Sequence, residues 1–283
     1  AGYGLAGVAE IELPFHGSQL YVEWGELFAQ NLSFAAEIGV QVAGRESGLI
    51  GTVETRIGSE TLSSKRTTPE SSDLQALSAV MRERHMRNLV MEVSSHAIAL
   101  ERIRGSHFAV VGFTNLSQDH LDFHKTFDSY LKAKKAFFDG LPKSAFALTN
   151  GDDKNGMVML QNTTAHKKTY GLKSLADFKA KIIENQFSGL HLDIDQEDVY
   201  FKLVGSFNAS NLLAVYGTAL LLDQDKTKVL TILSKISGAE GRFDFLIAPN
   251  KVVAIVDYAH TPDALLNVLS TIDNIRNKTE QVI

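Results

Sequence analysis

Cysteine is absent from this sequence of 283 residues, as are long apolar runs and any excess of basic side chains. Without cysteine the chain can form neither disulfides nor thiolate metal sites, which fits a reducing compartment. Its longest apolar run, 212–222, is interrupted by Gly217 and Thr218 and is too short to cross a bilayer. The first residues also lack the basic-then-apolar pattern of a signal peptide. We therefore expect a soluble, cytoplasmic protein without membrane insertion.

The charge balance argues against a nucleic-acid partner. The formal net charge is −5, so the chain has no general attraction for nucleic acid or for anionic membranes. Apolar residues make up 44% and charged residues 22%, which is ordinary for a globular protein. The length predicts two or more domains. We expect a monomer.

Strand-like and helix-like segments alternate along most of the chain. Short apolar runs predict strands, and apolar side chains at three- and four-residue spacing predict helices. Between Lys168 and Val204 apolar and polar residues alternate, which indicates a small β-meander. The pattern predicts an α/β fold with a mainly parallel, doubly wound sheet. The predicted strands are 49–53, 89–93, 108–114, 145–149 and 252–256, with a hairpin at 55–62, and the predicted helices are 74–85, 97–104, 127–138, 208–222, 226–236 and 264–272.

Polar side chains follow two of these strands at the point where each strand ends. Glu92 closes one strand, and Asn115, Asp119 and His120 follow the next. The carboxyl ends of parallel strands open onto one crevice, so we expect these groups to lie near each other. Glu92 and His120 are then candidate ligands of Mg²⁺. The alternative is that Glu92 pairs with an arginine and His120 caps a turn.

Lys134 lies on the apolar stripe of the predicted helix 127–138, seven residues after Phe127 and four after Tyr130. A lysine that faces the interior must snorkel, pair with a carboxylate, lose its proton or be modified. Lys132 and Lys135 point elsewhere on the helix, where solvent reaches them. Periodicity alone does not decide between a snorkelling lysine and a functional one.

Several loops carry groups that suit phosphates, carboxylates or a nucleotide. Thr67-Thr68-Pro69 and Ser94-Ser95-His96 are rich in hydrogen-bond donors, Asn208 begins a helix, and 257–263 places an acid, an aromatic and a histidine after a strand. Serine and threonine are also ordinary turn residues, and asparagine is an ordinary helix cap. A hydrolase built on Ser94 and His96 is disfavoured, because no Gly-x-Ser-x-Gly elbow surrounds them.

Taken together, these motifs resemble the Mur ligases, the ATP-dependent amide-forming enzymes of peptidoglycan precursor synthesis. The resemblance covers 48–263 and is closest to the member that adds the third amino acid of the peptide. The motifs that carry it are GLIGTVETRIG (48–58), TTPE (67–70), MEVSSHA (91–97), FTNLSQDHLDFH (113–124), YLKAKKAFF (130–138), GSFNASN (205–211), GRFD (241–244) and VDYAHTPD (256–263).

The resemblance implies roles for individual residues. Glu92 and His120 match Mg²⁺ ligands, and Lys134 matches a lysine that CO₂ converts to a carbamate able to support Mg²⁺. Contacts to UDP-N-acetylmuramoyl dipeptide are implied for Thr67, Thr68, Ser94 and Arg102. Contacts to ATP are implied for Asn115, Asn208, Arg242, Asp257, Tyr258 and His260.

The resemblance also implies a reaction and a domain plan. A substrate carboxylate attacks the γ-phosphate of ATP, and the amine of diaminopimelate or lysine then attacks the resulting acyl phosphate. The implied domains are a partial N-terminal region (1–45), a central ATP- and Mg²⁺-binding domain (46–244) and the start of a Rossmann-like C-terminal domain (245–283). The choice between the two amino acids stays open.

One part of the family pattern is missing from the sequence. The family's phosphate loop, Gly-Thr-Asn-Gly-Lys-Thr-Thr, would fall on 25–31, where the chain reads GELFAQN and Ala29 replaces the lysine. No Gly-x-x-x-x-Gly-Lys-[Ser/Thr] occurs anywhere in the chain. Either segments of a longer chain are left out of this sequence, or the chain is a ligase-derived nucleotide-sugar binding module without catalysis. A related ligase of the folylpolyglutamate or cyanophycin type is the further alternative, disfavoured by TTPE and MEVSSHA.

Overall fold

A computed structural model describes residues 47–52, 54–116, 121–238, 243–250, 252–257, 259, 262–276 and 279–283. All structural statements below concern these residues. The predicted N-terminal region 1–45, with the slot of the phosphate loop, lies outside them, as do His120, Arg242, Tyr258 and His260. None of the described helices is long and apolar enough to cross a membrane.

Twelve strands and eight helices form in the described part of the chain. The strands are β1 (Ser47–Ile50), β2 (Glu54–Ile57), β3 (Glu60–Ser63), β4 (Asn88–Met91), β5 (Val110–Phe113), β6 (Phe146–Asn150), β7 (His166–Gly171), β8 (Phe178–Gln186), β9 (Gly189–Ile194), β10 (Glu197–Phe201), β11 (Asp244–Ile247) and β12 (Val253–Val256). The helices are α1 (Ser71–Glu83), α2 (Ser95–Ala99), α3 (Leu121–His124), α4 (Phe127–Asp139), α5 (Gly156–Met159), α6 (Ser206–Leu221), α7 (Lys226–Leu233) and α8 (Pro262–Ile275).

The strands form two larger sheets and one separate pair. One sheet has the order β3-β2-β1-β4, in which β1 and β4 are parallel and the β1–β2 and β2–β3 pairings are antiparallel. The other has the order β10-β9-β8-β7-β6-β5, parallel from β5 to β8 and antiparallel from β8 to β10. Strands β11 and β12 pair with each other in antiparallel fashion. In each of the two larger sheets the parallel pairings therefore lie at one end and the antiparallel pairings at the other.

Alternate side chains of the inner strands point to two different hydrophobic cores, because successive residues of a strand face opposite sides of a sheet. One core contains side chains of α6 and α7 together with Leu49, Val90, Val110 and Leu148. The other contains side chains of α1 and α4 together with Ile50, Met91, Val111 and Ala147. Helices thus cover both faces, and the predicted α/β, doubly wound class is confirmed.

Helix α6 is apolar nearly all round, as expected for a helix inside a domain rather than on its surface. Eleven of its residues are buried, from Asn208 to Ala219, and they pack on β5 to β9. The helix begins at Gly205, whose φ of 99° is a conformation that side chains with a Cβ rarely adopt. The start of α6 is therefore held rigidly beside the sheet.

Several boundaries differ from the prediction for local reasons. Helix α2 ends at Ala99 instead of continuing to Arg104, since Glu101 (φ 53°) and Gly105 (φ 81°) turn the chain through left-handed conformations. Helix α1 starts at Ser71, so the predicted capping residues 71–73 form its first turn. The short helices α3 and α5 and strand β11 were not predicted, because each has four residues and shows no period.

Candidate functional site

Glu92 directly follows β4, and hydroxyl groups from two other loops surround its carboxylate. The Thr52 hydroxyl donates a hydrogen bond to Glu92 Oε2 at 2.7 Å. The Thr67 and Thr52 hydroxyl oxygens lie 3.0 Å apart. Since Thr52 uses its proton on Glu92, Thr67 is the donor of that second bond. A carboxylate is therefore held at the carboxyl end of β4, beside the loop that follows β1.

Thr68 ties the loop before α1 to the loop after β4. Its hydroxyl donates to the Glu92 carbonyl oxygen at 2.9 Å and accepts from the Ser94 amide at 3.0 Å. The Ser94 hydroxyl caps α2 by accepting from the Ala97 amide at 3.2 Å. The structure therefore brings together Thr67, Thr68, Ser94 and Glu92. Ser94 acts here as a helix cap.

Arg102 places positive charge at the same junction. Its guanidinium donates to the Thr68 carbonyl oxygen at 3.3 Å and forms an ion pair with Glu70 at 3.0 Å. Glu70 also pairs with Arg66, which lies further out. The Arg102 side chain is mostly covered, so it is preorganised to meet an anionic group beside Thr68.

Lys134 is 4% exposed, and its position on the buried face of α4 is confirmed. Its ammonium nitrogen lies 5.5 Å from the centre of the Tyr130 ring. Lys132 is solvent-exposed and pairs with Asp128 at 2.7 Å. The prediction that Lys135 is easily solvated is wrong, because its side chain is largely covered and forms an ion pair with Asp139 at 2.6 Å.

Among the described residues, which leave out His120, no three acid or histidine side chains group closely enough to hold a metal ion. The described groups suited to a hard cation are the Glu92 carboxylate and the neighbouring Thr52 hydroxyl. Oxygen donors of this kind are what Mg²⁺ prefers. The residues present therefore fit Mg²⁺ on one side of a site. Of the other two predicted ligands, Lys134 is buried on α4 and His120 lies outside the described residues.

The loop after β5, which carries Asn115, is held by hydrogen bonds with residues of β6, of the loop after β6 and of β7. Asn150 donates from its amide nitrogen to the Thr114 carbonyl oxygen at 2.9 Å, and Asp153 accepts from the Leu116 amide at 3.4 Å. The buried Tyr170 hydroxyl reaches the Phe113 carbonyl oxygen at 3.4 Å. Burial raises the pKa of Tyr170 well above its usual value, so this phenol stays neutral.

Asn208 is buried at the first turn of α6, and its amide is fixed in orientation. Its nitrogen donates to the Val204 carbonyl oxygen at 2.8 Å, and its oxygen accepts from the Asn211 amide nitrogen at 3.3 Å. The side chain borders an open cavity of about 330 Å³. The cavity is also lined by Lys202, Leu203, Val204, Ser237, Gly238, Phe243, Asp244 and Phe245.

Asp257 lies after β12 and holds the chain beside this cavity. One of its carboxylate oxygens accepts from the Phe243 amide, and the other accepts from the Ala259 amide, both at 2.7 Å. The structure therefore links Asp257 to the cavity through Phe243, which is one of the lining residues.

Sequence reasoning missed Thr52 and His124. Thr52 lies within the motif 48–58 and contacts Glu92, but a single threonine after a strand carries no signal of its own. His124 lies at the end of the motif 113–124 and is buried. A buried histidine on a four-residue helix cannot be recognised from periodicity.

Comparison with known proteins identifies relatives of this chain. Residues 35–219 match the family model described as the Mur ligase middle domain. The chain is 53% identical over 240 residues to a UDP-N-acetylmuramoyl-L-alanyl-D-glutamate--2,6-diaminopimelate ligase of Phocaeicola vulgatus, covering 85% of this chain and 50% of the relative. It is 39% identical over 262 residues to the ligase of the same name from Listeria monocytogenes, covering 89% of this chain and 53% of the relative. The chain thus spans about half the length of the curated relatives it matches.

Solved structures give the same result for the fold. A structure of a UDP-N-acetylmuramoyl-L-alanyl-D-glutamate--2,6-diaminopimelate ligase superimposes with a TM-score of 0.76 and 26% identity. The superposition covers 92% of this chain and 54% of that structure.

Proposed function

The chain belongs to the Mur ligase family, and from this premise we propose that it is part of an ATP-dependent ligase of peptidoglycan synthesis. The ligase joins diaminopimelate to UDP-N-acetylmuramoyl-L-alanyl-D-glutamate in the cytoplasm. The structural observation that carries the proposal is the junction at the end of β4. There Thr52 and Thr68 donate to the carboxylate and the carbonyl oxygen of Glu92, and Thr67 and the Ser94 amide donate to those two threonine hydroxyls. Diaminopimelate is preferred over lysine because the relatives at about half identity are named for it.

Three residues would hold Mg²⁺: Glu92, His120 and Lys134 as a carbamate. When bound, Mg²⁺ supplies positive charge that neutralises the phosphates of ATP. Glu92 contributes a carboxylate that Thr52 orients.

Lys134 supports this assignment by its burial. The carbamate would form from the neutral form of this amine. The neutral amine nitrogen adds to CO₂, an N–C bond forms, and the nitrogen releases a proton to solvent. The product is a carbamate anion, which turns a cation into an oxygen donor at the same position.

Thr67, Thr68, Ser94 and Arg102 would bind the UDP-muramoyl dipeptide. Their hydroxyl and guanidinium groups already converge on one junction, and Arg102 brings charge opposite in sign to the substrate's carboxylates and phosphates. Substrate binding exchanges some of the present hydrogen bonds, such as that of Arg102 with the Thr68 carbonyl, for bonds to the ligand.

The ATP side is assigned to the groups after β5, at the start of α6 and around β12. Asn208 presents a fixed amide to the cavity beside it. Asp257 uses one lone pair of each oxygen on backbone amides and keeps the others for ribose hydroxyls. The remaining contacts would come from Asn115, Arg242, Tyr258 and His260.

The reaction has two steps. In the first, an oxygen of the substrate carboxylate forms a bond to the γ-phosphorus of ATP, and the bond from that phosphorus to the β-phosphate oxygen breaks, giving an acyl phosphate and ADP. In the second, the amine of diaminopimelate bonds to the acyl carbon, loses a proton, and inorganic phosphate leaves. The protein's part is positioning and charge stabilisation rather than covalent catalysis.

The test is ADP release by the whole protein that contains this chain, with UDP-N-acetylmuramoyl-L-alanyl-D-glutamate and either diaminopimelate or lysine. We expect ADP release that requires the dipeptide and diaminopimelate together. Release with lysine instead would overturn the substrate assignment.

A second candidate, a non-catalytic binding module, is favoured by the missing phosphate-loop lysine at Ala29. Calorimetric titration with the UDP-dipeptide, carried out beside the ADP assay, distinguishes this binding module from the ligase. Tight binding of the UDP-dipeptide without any ADP release would support the binding module and contradict the ligase.

A further inference from the structure

His124 is a buried histidine to which the proposed reaction gives no task. It lies at the end of α3 and is 8% exposed. Its Nε2 lies 2.9 Å from the hydroxyl oxygen of Ser95, which is itself only 2% exposed. Ser95 is the first residue of α2 and comes three residues after Glu92. The hydrogen bond therefore joins α3 to the segment that carries the carboxylate.

The other side of His124 faces the helix of Lys134. The His124 ring lies 5.2 Å from the ring of Tyr130, centre to centre, and Tyr130 lies 5.5 Å from the Lys134 nitrogen. The rings of His96 and Phe123 pack around it at 5.6 and 4.8 Å. His124 thus contacts both the segment that carries Glu92 and the Tyr130 ring, which lies beside the Lys134 amine.

The turn between α3 and α4 holds His124 in this place. Lys125 adopts a φ of 66°, and its amine donates to the Asp122 carbonyl oxygen at 2.8 Å. The Thr126 hydroxyl then caps α4 by accepting from the Ser129 amide at 3.1 Å. A turn with these constraints fixes the direction of α4 relative to α3.

We propose that His124 is a positioning residue that sets the separation of Glu92 and Lys134, through Ser95 on one side and Tyr130 on the other. The proposal rests on the proposed function, because it matters chemically only if Glu92 and Lys134 share a metal ion. Residues that contact the metal ligands rather than the metal, and so orient those ligands, change metal affinity by about tenfold or more when they are replaced. Both partners of the bond are buried, so replacing either one removes a hydrogen bond from the interior, which shifts the surrounding loop.

Four single variants and one double variant of the 283-residue chain test the proposal. Ser95→Ala removes the hydroxyl with little change in packing, and His124→Phe keeps an aromatic ring but removes both nitrogens. His124→Gln is the conservative variant, because its amide reaches the position of Nε2. His191→Phe is the matched control: His191 is also buried, pairs with Asp198 and stacks on Tyr200, but lies on β9, four strands from β5.

The first measurement is Mn²⁺ binding by calorimetry in bicarbonate buffer, with Mn²⁺ standing in for Mg²⁺. We expect Ser95→Ala and His124→Phe to weaken binding by about tenfold, and His124→Gln to stay within about threefold of the wild type. The double variant should be no weaker than either single one, because both remove the same bond. His191→Phe should lower the melting temperature without changing Mn²⁺ affinity. Wild-type affinity in both Ser95→Ala and His124→Phe would overturn the proposal.

The second measurement needs no metal and separates this proposal from the proposed function. Amide hydrogen exchange is compared at 92–99 and at 127–138. Faster exchange in both segments in Ser95→Ala and His124→Phe, but not in His191→Phe, supports positioning by His124 even if the wild type binds no Mn²⁺. Absence of Mn²⁺ binding in the wild type would contradict the proposed metal site but not the positioning role of His124. Unchanged exchange in both segments contradicts the positioning role.

Discussion

At the scale of single residues, the position of a lysine on its helix decides its chemistry. Lys134 and Lys132 lie on the same helix, yet the first is 4% exposed and the side chain of the second is 72% exposed. Lys134 falls on the stripe of Tyr130, Phe137 and Phe138, whereas Lys132 faces solvent and pairs with Asp128. Under the proposed function, the amine at the first position becomes a carbamate. An amine at the second remains an ordinary surface cation.

Replacing Lys134 with alanine should abolish ligase turnover. We expect ADP release to fall by about 100-fold or more, because the position loses a group that supports the metal. Added bicarbonate should not restore it, since alanine has no amine to react with CO₂. Lys132→Ala on the same helix is the control and should keep its turnover. Turnover near the wild-type value in Lys134→Ala would remove Lys134 from the mechanism.

At the scale of elements, a single carboxylate joins the loops after β6 and β7. Asp152 accepts from the amides of Leu172 (2.6 Å), Lys173 (3.1 Å) and Ser174 (2.7 Å). Burial by itself raises the pKa of Asp152. The hydrogen bonds from Leu172, Ser174 and Lys173 lower it by more than burial raises it, so the pKa lies below its usual value. The charged carboxylate therefore stabilises the connection that leads into β8.

The Asp152 clamp should make stability depend on pH. The folded-state pKa lies below the unfolded value of 3.8, so the contribution is fully present above that value and is lost as the pH falls through the folded pKa. We expect Asp152→Ala to lower the free energy of unfolding at neutral pH by about 1 kcal/mol, a modest value because solvent reaches the group.

The difference between Asp152→Ala and the wild type should shrink as the pH falls below 3.8, measured by urea denaturation across pH. Glu83→Ala, which changes an exposed acid at the end of α1, provides the baseline for removing one surface carboxylate. A gap between Asp152→Ala and the wild type that stays constant down to low pH would argue against the clamp.

At the scale of the whole molecule, the strands separate two apolar cores that different helices cover. Helix α6 lies in the first core with Leu190, Leu192 and Ile194 of β9, and α4 lies in the second with Phe108 and Met159. The Glu92 junction directly follows β4, whose Val90 lies in the first core and whose Met91 lies in the second. Its groups therefore depend on the packing of both cores.

Leu212 provides the test of the first core. It is fully buried in α6, and its replacement by alanine leaves a cavity that the neighbouring strands cannot fill. We expect Leu212→Ala to lower the free energy of unfolding by about 3 kcal/mol in urea denaturation. Leu175→Ala is the control, because Leu175 is 91% exposed and its loss should change stability little. Equal effects of the two variants would contradict the placement of α6.

Much of the fold follows from patterns that are local in the chain. The interior position of Lys134 follows from the period of α4, and the hairpin of β2 and β3 follows from the turn at Gly58. Where the sequence was wrong, distant or conformational effects decided: α2 stops at Ala99 because the chain turns through Glu101 and Gly105. The spacing of apolar residues does not predict where a chain turns through left-handed conformations, so it does not predict this helix end.

The sequence by itself determined the α/β class, most elements and the residue types of a metal and phosphate site. Only the tertiary structure decided which of those residues meet. Thr52 reaches Glu92 across 40 positions, Ser95 reaches His124 across 29, and Asn150 reaches Thr114 across 36. The reason is physical: the helix and strand periods are set by neighbouring residues, whereas these contacts exist only after parallel strands have brought their carboxyl ends to one edge.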